Sequence, residues 1–138
     1  MSYILLVEDD PNNAQLMTRL LHTLHLEVRH TTRGLQGAEW ARHERPLLIL
    51  MDINLPDIDG RAIVMMLKKH LGGAAAPPIV AVTAREGAYE ADLAARYGCS
   101  AFIKKPFKPE EFLTTVKGLL PPATTESTEQ PQTPLADR

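Results

Sequence analysis

The chain has 138 residues, enough for one domain built around one core. Its 44% hydrophobic and 23% charged residues are the balance of a globular protein, and a formal net charge of -2 offers nucleic acid or an anionic membrane no electrostatic reason to bind directly. The single cysteine, Cys99, excludes an internal disulfide, and no apolar run is long enough to cross a bilayer. With no basic leader or cleavage site after Met1, the expected setting is the cytoplasm.

Residues 3–7 form a continuous apolar run, broken by Glu8-Asp9-Asp10-Pro11. From Asn12 the spacing turns helical, with Leu16, Leu20 and Leu24 recurring at i+4; Asp10 reads as the N-cap and Pro11 as the first helical residue. Residues 27–31 make a short strand whose one strongly apolar residue, Val28, suits an outer position. Residues 34–42 read as a weak helix with Ala38 and Ala41 inward, and Trp40 is expected to pack that helix on the sheet. Leu47-Leu48-Ile49-Leu50-Met51 runs without interruption into Asp52, then turns through Pro56 and Gly60, the pattern of a central strand buried on both faces.

A helix is expected from Asp59-Gly60 to about His70, with Ile63, Met66 and Leu67 on its inner face and Met51, Met65 and Met66 in the core. Ile79-Val80-Ala81-Val82 is another buried strand, stopping at Thr83. Residues 86–97 form an Ala-rich helix closed by Gly98, Ala101-Phe102-Ile103 is the last strand, and residues 109–120 a final helix burying Phe112, Val116 and Leu119. The pattern gives one domain over residues 1–120. Residues 121–138 are rich in Pro, Thr, Ser, Glu and Gln and read as a disordered tail.

Five strands alternating with five helices imply an α/β fold with parallel strands, right-handed crossovers and helices on both faces. In a parallel sheet every strand's carboxyl end lies on one edge, where α/β folds place their ligands. Here the strands end in Glu8 and Asp9, in Asp52, in Thr83 and in Lys105. At ~4 Å and an effective dielectric of ~20, each like-charged pair costs about 4 kcal/mol, so a cation or a proton belongs among the acids. Oxygen-only ligands suit Mg²⁺, with Asp9 and Asp52 as direct ligands, Glu8 acting through water and the Asn54 backbone carbonyl within reach. Asp52 is then a nucleophile that takes a phosphoryl group, with Lys105 and the Thr83 hydroxyl on the phosphoryl oxygens.

Ile4-Leu5-Leu6-Val7-Glu8-Asp9-Asp10, Leu50-Met51-Asp52-Ile53-Asn54-Leu55-Pro56, Ala81-Val82-Thr83-Ala84 and Lys105-Pro106-Phe107 resemble, in order, the motifs of receiver domains of two-component response regulators. The resemblance implies a flavodoxin-like, doubly wound five-stranded parallel sheet of order 2-1-3-4-5. It also implies phosphorylation of Asp52 by a histidine kinase or histidine phosphotransferase, an acyl phosphate lost to in-line water attack, and a cis Lys105-Pro106 bond. The family's switch maps onto Thr83 and Phe102, which would turn inward and repack the face of the fourth helix, fifth strand and fifth helix. Asn13, Met17 and the Pro106-Phe107 loop would meet the phosphodonor. With no DNA-binding or catalytic segment after residue 120, the expected type is a stand-alone regulator that signals by docking an unknown downstream protein, as a monomer or a phosphorylation-dependent homodimer.

Each of these residues also has a plain structural reading: Asp10 as a cap, Asp52 as a turn residue, Thr83 as a cap, Lys105 as surface charge, Phe102 as core. Together they would need five coincidences on one edge. The five histidines lack the spacing of a zinc site. A phosphorelay intermediate or a phosphate sink remains an alternative output. A phosphatase of the haloacid dehalogenase type needs an acid two residues after its nucleophile, where this chain has Asn54, and a flavin phosphate would be repelled by Glu8-Asp9-Asp10.

Overall fold

The computed structural model describes residues 2–84 and 96–121. Its elements are β1 (Tyr3–Val7), α1 (Pro11–His22), β2 (Glu27–Thr31), α2 (Gly34–His43), β3 (Leu48–Asp52), α3 (Gly60–His70), a 3₁₀ turn (Gly73–Ala75), β4 (Ile79–Thr83), β5 (Ala101–Lys104) and α4 (Pro109–Leu119). The strands form one parallel sheet in the order β2-β1-β3-β4-β5, which is the flavodoxin-like order expected. Four α-helices lie wholly among the described residues; the expected helix at 86–97 falls outside them except for its last two positions, and residues 122–138 lie outside them too.

Strand periodicity sorts the core into two layers. Ile4, Leu6, Leu48, Leu50, Val80, Val82 and Ile103 face α1 and α4, where they meet Met17, Leu21, Phe112 and Val116. Tyr3, Leu5, Val7, Ile49, Met51 and Ile79 face α2 and α3, where Ala38, Ala41, Ile63, Val64 and Leu67 complete the second layer. Successive side chains of a strand point to opposite faces, so an unbroken apolar run buries residues into both layers. Every residue of β1, β3 and β4 is accordingly buried, whereas β2, with charged Glu27 and Arg29, stays half-covered at the edge.

The helix starts follow from their caps. Asp10 accepts from the Asn12 amide at 2.9 Å with Pro11 opening α1, and Asp59 accepts from the Arg61 amide at 2.9 Å to open α3. Past α1, His25 adopts φ +61°, a left-handed conformation. Trp40 is half-buried and packs α2 on the sheet as expected, and the Tyr3 hydroxyl reaches the Trp40 and Glu44 carbonyls at 3.4 and 2.5 Å.

Two expected placements are corrected. Met65 is 52% exposed rather than core, because Ile63, Val64 and Leu67 already define the inner face of α3 and position 65 points away from it. Met17 is fully buried between Ala14 and Leu21 on the inner face of α1, so it is not available to a docking protein.

Candidate functional site

The sequence-predicted phosphoacceptor, metal-ligand, hydroxyl and lysine positions all arrive at the carboxyl edge of the sheet, whereas Phe102 lies within β5 opposite Ala81. Glu8 and Asp9 follow β1, Asp52 closes β3, Thr83 closes β4, and Lys105 follows β5. Backbone bonds fix these ends. The Glu8 amide donates to the Thr31 carbonyl at 3.0 Å and the Lys105 amide to the Thr83 carbonyl at 2.8 Å. The Lys105-Pro106 peptide is cis, as the resemblance implied.

Glu8, Asp9 and Asp52 each offer a carboxylate oxygen, and these oxygens lie within 4.8 Å of one another. Glu8 is fully buried and Asp52 only 4% exposed, while Asp9 is open to solvent. The Lys105 ammonium donates to both Glu8 oxygens, at 3.1 and 3.2 Å, and to Asp52 Oδ2 at 3.3 Å. Asp52 Oδ1 accepts from the Asn54 amide at 2.9 Å, and Glu8 Oε2 accepts from the Asp10 amide at 3.1 Å. Thr83 is fully buried, and its hydroxyl accepts a long bond of 3.5 Å from the Asn54 side-chain amide. Asp9, Asp52, Asn54 and Lys105 open together onto a cleft of about 470 Å³ that Asn13 and Pro106 also line.

Among the described residues, the Lys105 ammonium contacts two of the three carboxylates, Glu8 and Asp52. Burial, and then the charge of Asp52, push the Glu8 carboxyl up to about 7, against the pull of the Asp10 amide and Lys105. Burial also raises Asp52, opposed by the Asn54 amide and Lys105. Burial works against the Lys105 charge, but Asp52 and Glu8 outweigh it and hold the ammonium above its ordinary value. The pocket thus carries more negative charge than its lysine neutralises, and its donors are all oxygen. Those are the conditions that fit a hard divalent cation.

Phe102 is half-buried and packs with Ile53, Ala81 and Cys99, one register position from β4 through its Ala81 partner. Phe107, past the cis bond, stacks on Phe112 with ring centroids 5.0 Å apart. Three contributors went unnoticed in the sequence. His30 Nε2 lies 2.8 Å from the Glu8 carbonyl and so braces the loop after β1. Gly60 lies so close to the end of β3 that a Cβ on it would fall 2.4 Å from the Asp52 carbonyl oxygen. Asp57, read only as part of a turn, accepts the Gly34 and Leu35 amides, both at 3.0 Å. The Gly60 role had a signal in the Asp59-Gly60 pair; the partners of His30 and Asp57 lie 22 or 23 residues away and left none.

A doubly wound parallel sheet with an acid cluster and a half-buried lysine at its carboxyl edge defines the class: an α/β domain that gathers oxygen ligands around one strand-end carboxylate. The profile of the response regulator receiver domain matches residues 4–117. The chain belongs to that family of two-component signalling proteins. It is 34% identical over 122 residues to the polar-differentiation response regulator DivK of Brucella anthropi, covering 85% of this chain and 94% of the relative. Among solved structures it is similar to a CheY-like receiver domain protein of Methanospirillum hungatei, with TM-score 0.79 and 25% identity over 92% of this chain and 99% of the other. It is also similar to the receiver domain of a sensor histidine kinase from Pseudomonas aeruginosa, with TM-score 0.76 and 30% identity over 85% and 95% of the two chains. Receiver domains are signalling modules. Among the described residues, no helix is long and apolar enough to cross a membrane.

Proposed function

We propose that Asp52 accepts a phosphoryl group from a phosphohistidine of a histidine kinase or histidine phosphotransferase, and that the acyl phosphate switches a protein-docking face. The observation that carries this reading is the contact of one lysine with both Glu8 and Asp52 inside a three-carboxylate pocket. In the transfer an Asp52 oxygen forms a bond to phosphorus, the phosphorus–nitrogen bond breaks, and the imidazole leaves with its electron pair. Asp9, Asp52 and the Asn54 carbonyl would hold Mg²⁺, with Glu8 acting through water. A bound Mg²⁺ supplies positive charge for the phosphoryl oxygens in a reaction between two anions. The Pseudomonas aeruginosa neighbour, described with a magnesium ion coordinated in its active site cleft, supports this assignment.

Lys105 holds Asp52 in place and offers its ammonium to the arriving phosphoryl oxygens. The Thr83 hydroxyl, buried beside Asn54, donates to one of those oxygens when it turns toward the cleft. Phe102, half-covered beside Ala81, moves inward with it and carries the state to the surface around β5. A phosphate with charge of about -1.5 to -2 beside such an element is enough to bias it. Asn54 flanks the path of the attacking water and sets the lifetime; Arg85, to which its place in the sequence assigns the same task, lies outside the described residues.

The donor would dock over the cleft on half-buried Asn13 of α1, which lines it, and on the Pro106-Phe107 loop. The downstream partner is a protein, and the active form is a monomer or a phosphorylation-dependent homodimer. The test is labelling with acetyl phosphate and Mg²⁺. The wild-type protein takes a label that hydroxylamine removes, and Asp52→Asn takes none. A hydroxylamine-resistant label retained by Asp52→Asn would overturn the reading.

A further inference from the structure

The loop between β3 and α3 carries Asn54, whose amide orients Asp52 Oδ1 and whose carbonyl is one of the ligands proposed above for the cation. Backbone of other elements grips that loop at two places. At its far end the Gly60 amide donates to the Ile53 carbonyl at 2.8 Å. At its crest Asp57 sits on the N-terminus of α2, Oδ1 taking the Gly34 amide and Oδ2 the Leu35 amide. The residue that precedes α2, Arg33, has the extended backbone of an N-cap but makes no side-chain cap bond. Helix α2 therefore takes its cap from a different loop. Gly34 lies flat beneath that loop: a Cβ there would come 2.9 Å from Leu55 Cδ1 and 3.0 Å from Ile58 Cγ2.

A helix start presents amides that need acceptors and a positive dipole end that favours a carboxylate. Because each Asp57 oxygen takes a separate amide, the pair fixes the side chain's orientation as well as its position. Only Leu55 and Pro56 separate this anchor from Asn54, and the proline ring fixes one of the intervening torsions.

We propose that Asp57, seated on the first two amides of α2, is a positioning residue that sets the Asn54 backbone and through it the divalent-cation affinity of the acidic pocket. The proposal rests on the metal reading given above. It makes α2, which offers no ligand, part of what determines how tightly the site holds its cation.

The test compares Asp57→Ala with the double variant Asp57→Ala/Arg33→Ser. Serine at the N-cap gives α2 a cap from its own chain without restoring the tether. Amide hydrogen exchange at Gly34, Leu35 and Asn54 is followed in the metal-free proteins, and Mg²⁺ affinity is measured by calorimetry. Asp57→Ala is expected to weaken Mg²⁺ binding about tenfold, as loss of an outer-shell partner does, and to lower protection at Asn54. In the double variant, protection at the start of α2 returns while Mg²⁺ binding and Asn54 protection stay low. Recovery of Mg²⁺ affinity in the double variant, or unchanged affinity in Asp57→Ala, overturns the proposal. If Asp57→Ala does not fold, Asp57→Asn replaces it, keeping one acceptor oxygen, and the same comparison applies. Should the wild-type protein bind no Mg²⁺, the metal reading fails by itself. Asn54 exchange then decides the tether: lost protection in both variants upholds it, and unchanged protection overturns it.

Discussion

Asp52 sits at the end of a buried strand, beside Glu8 and a lysine that must serve both carboxylates. Burial outweighs what Lys105 and the Asn54 amide return, so the charged form of Asp52 is held at a cost to the fold. Asp52→Asn keeps the shape and removes that charge. It is expected to raise metal-free stability by about 1 kcal/mol while abolishing phosphoryl acceptance, a trade of stability against function read from urea midpoints. Asp9 is the exposed member of the cluster, so Asp9→Ala should fold normally and lose Mg²⁺ binding; an unchanged calorimetric titration would count against the acidic pocket. Far from the site, His25 holds φ +61° at the end of α1, a conformation that costs a residue with a Cβ about 1 kcal/mol. His25→Gly is expected to be neutral or stabilising by up to that amount, and the denaturation midpoint will tell.

The elements meet at glycines and caps. At Gly60 the start of α3 lies against the backbone of Asp52 and Ile53, which leaves no room for a methyl group. Gly60→Ala should separate α3 from β3, cost about 1–3 kcal/mol and impair labelling of Asp52, because the shift falls on the nucleophile's own strand. Asp57 carries a different signature. Burial would raise its carboxyl, but the Leu35 and Gly34 amides prevail and hold it below its ordinary value. A depressed native pKa adds stability above the unfolded value near ~3.9, and that stability is lost as pH falls through the native value. The difference in stability between wild type and Asp57→Ala, about 1 kcal/mol at neutral pH for a lost cap, should therefore shrink below about pH 4.

The strand runs and helix caps were legible because each is decided within a few residues: continuous apolar stretches for β1, β3 and β4, and Asp10-Pro11 and Asp59-Gly60 for the helix starts. Met65 was misjudged because residue type was weighed where angular position decides, and Met17 because the resemblance was carried onto a position that faces the core. The cap that α2 borrows from Asp57 is a tertiary contact, which local spacing does not encode.

For the whole molecule, parallel topology made the site legible: once the strands are parallel, their last residues must meet on one rim, and Glu8, Asp9, Asp52, Thr83 and Lys105 do. A cation bound only by the folded pocket stabilises the entire domain by mass action, about 2.7 kcal/mol at a hundred times its dissociation constant. The thermal midpoint should rise with Mg²⁺ in the wild type and stay flat in Asp9→Ala. One feature decides how such titrations can be observed. Trp40, the protein's one tryptophan, has its backbone near the Tyr3 hydroxyl where β1 begins, a strand's length of roughly 13 Å from the rim of acids. Its emission therefore monitors unfolding of the α2 layer and stays dark to events at Asp52. A change in that fluorescence on adding Mg²⁺ or phosphodonor to the folded protein would signal a rearrangement transmitted along the full length of the sheet.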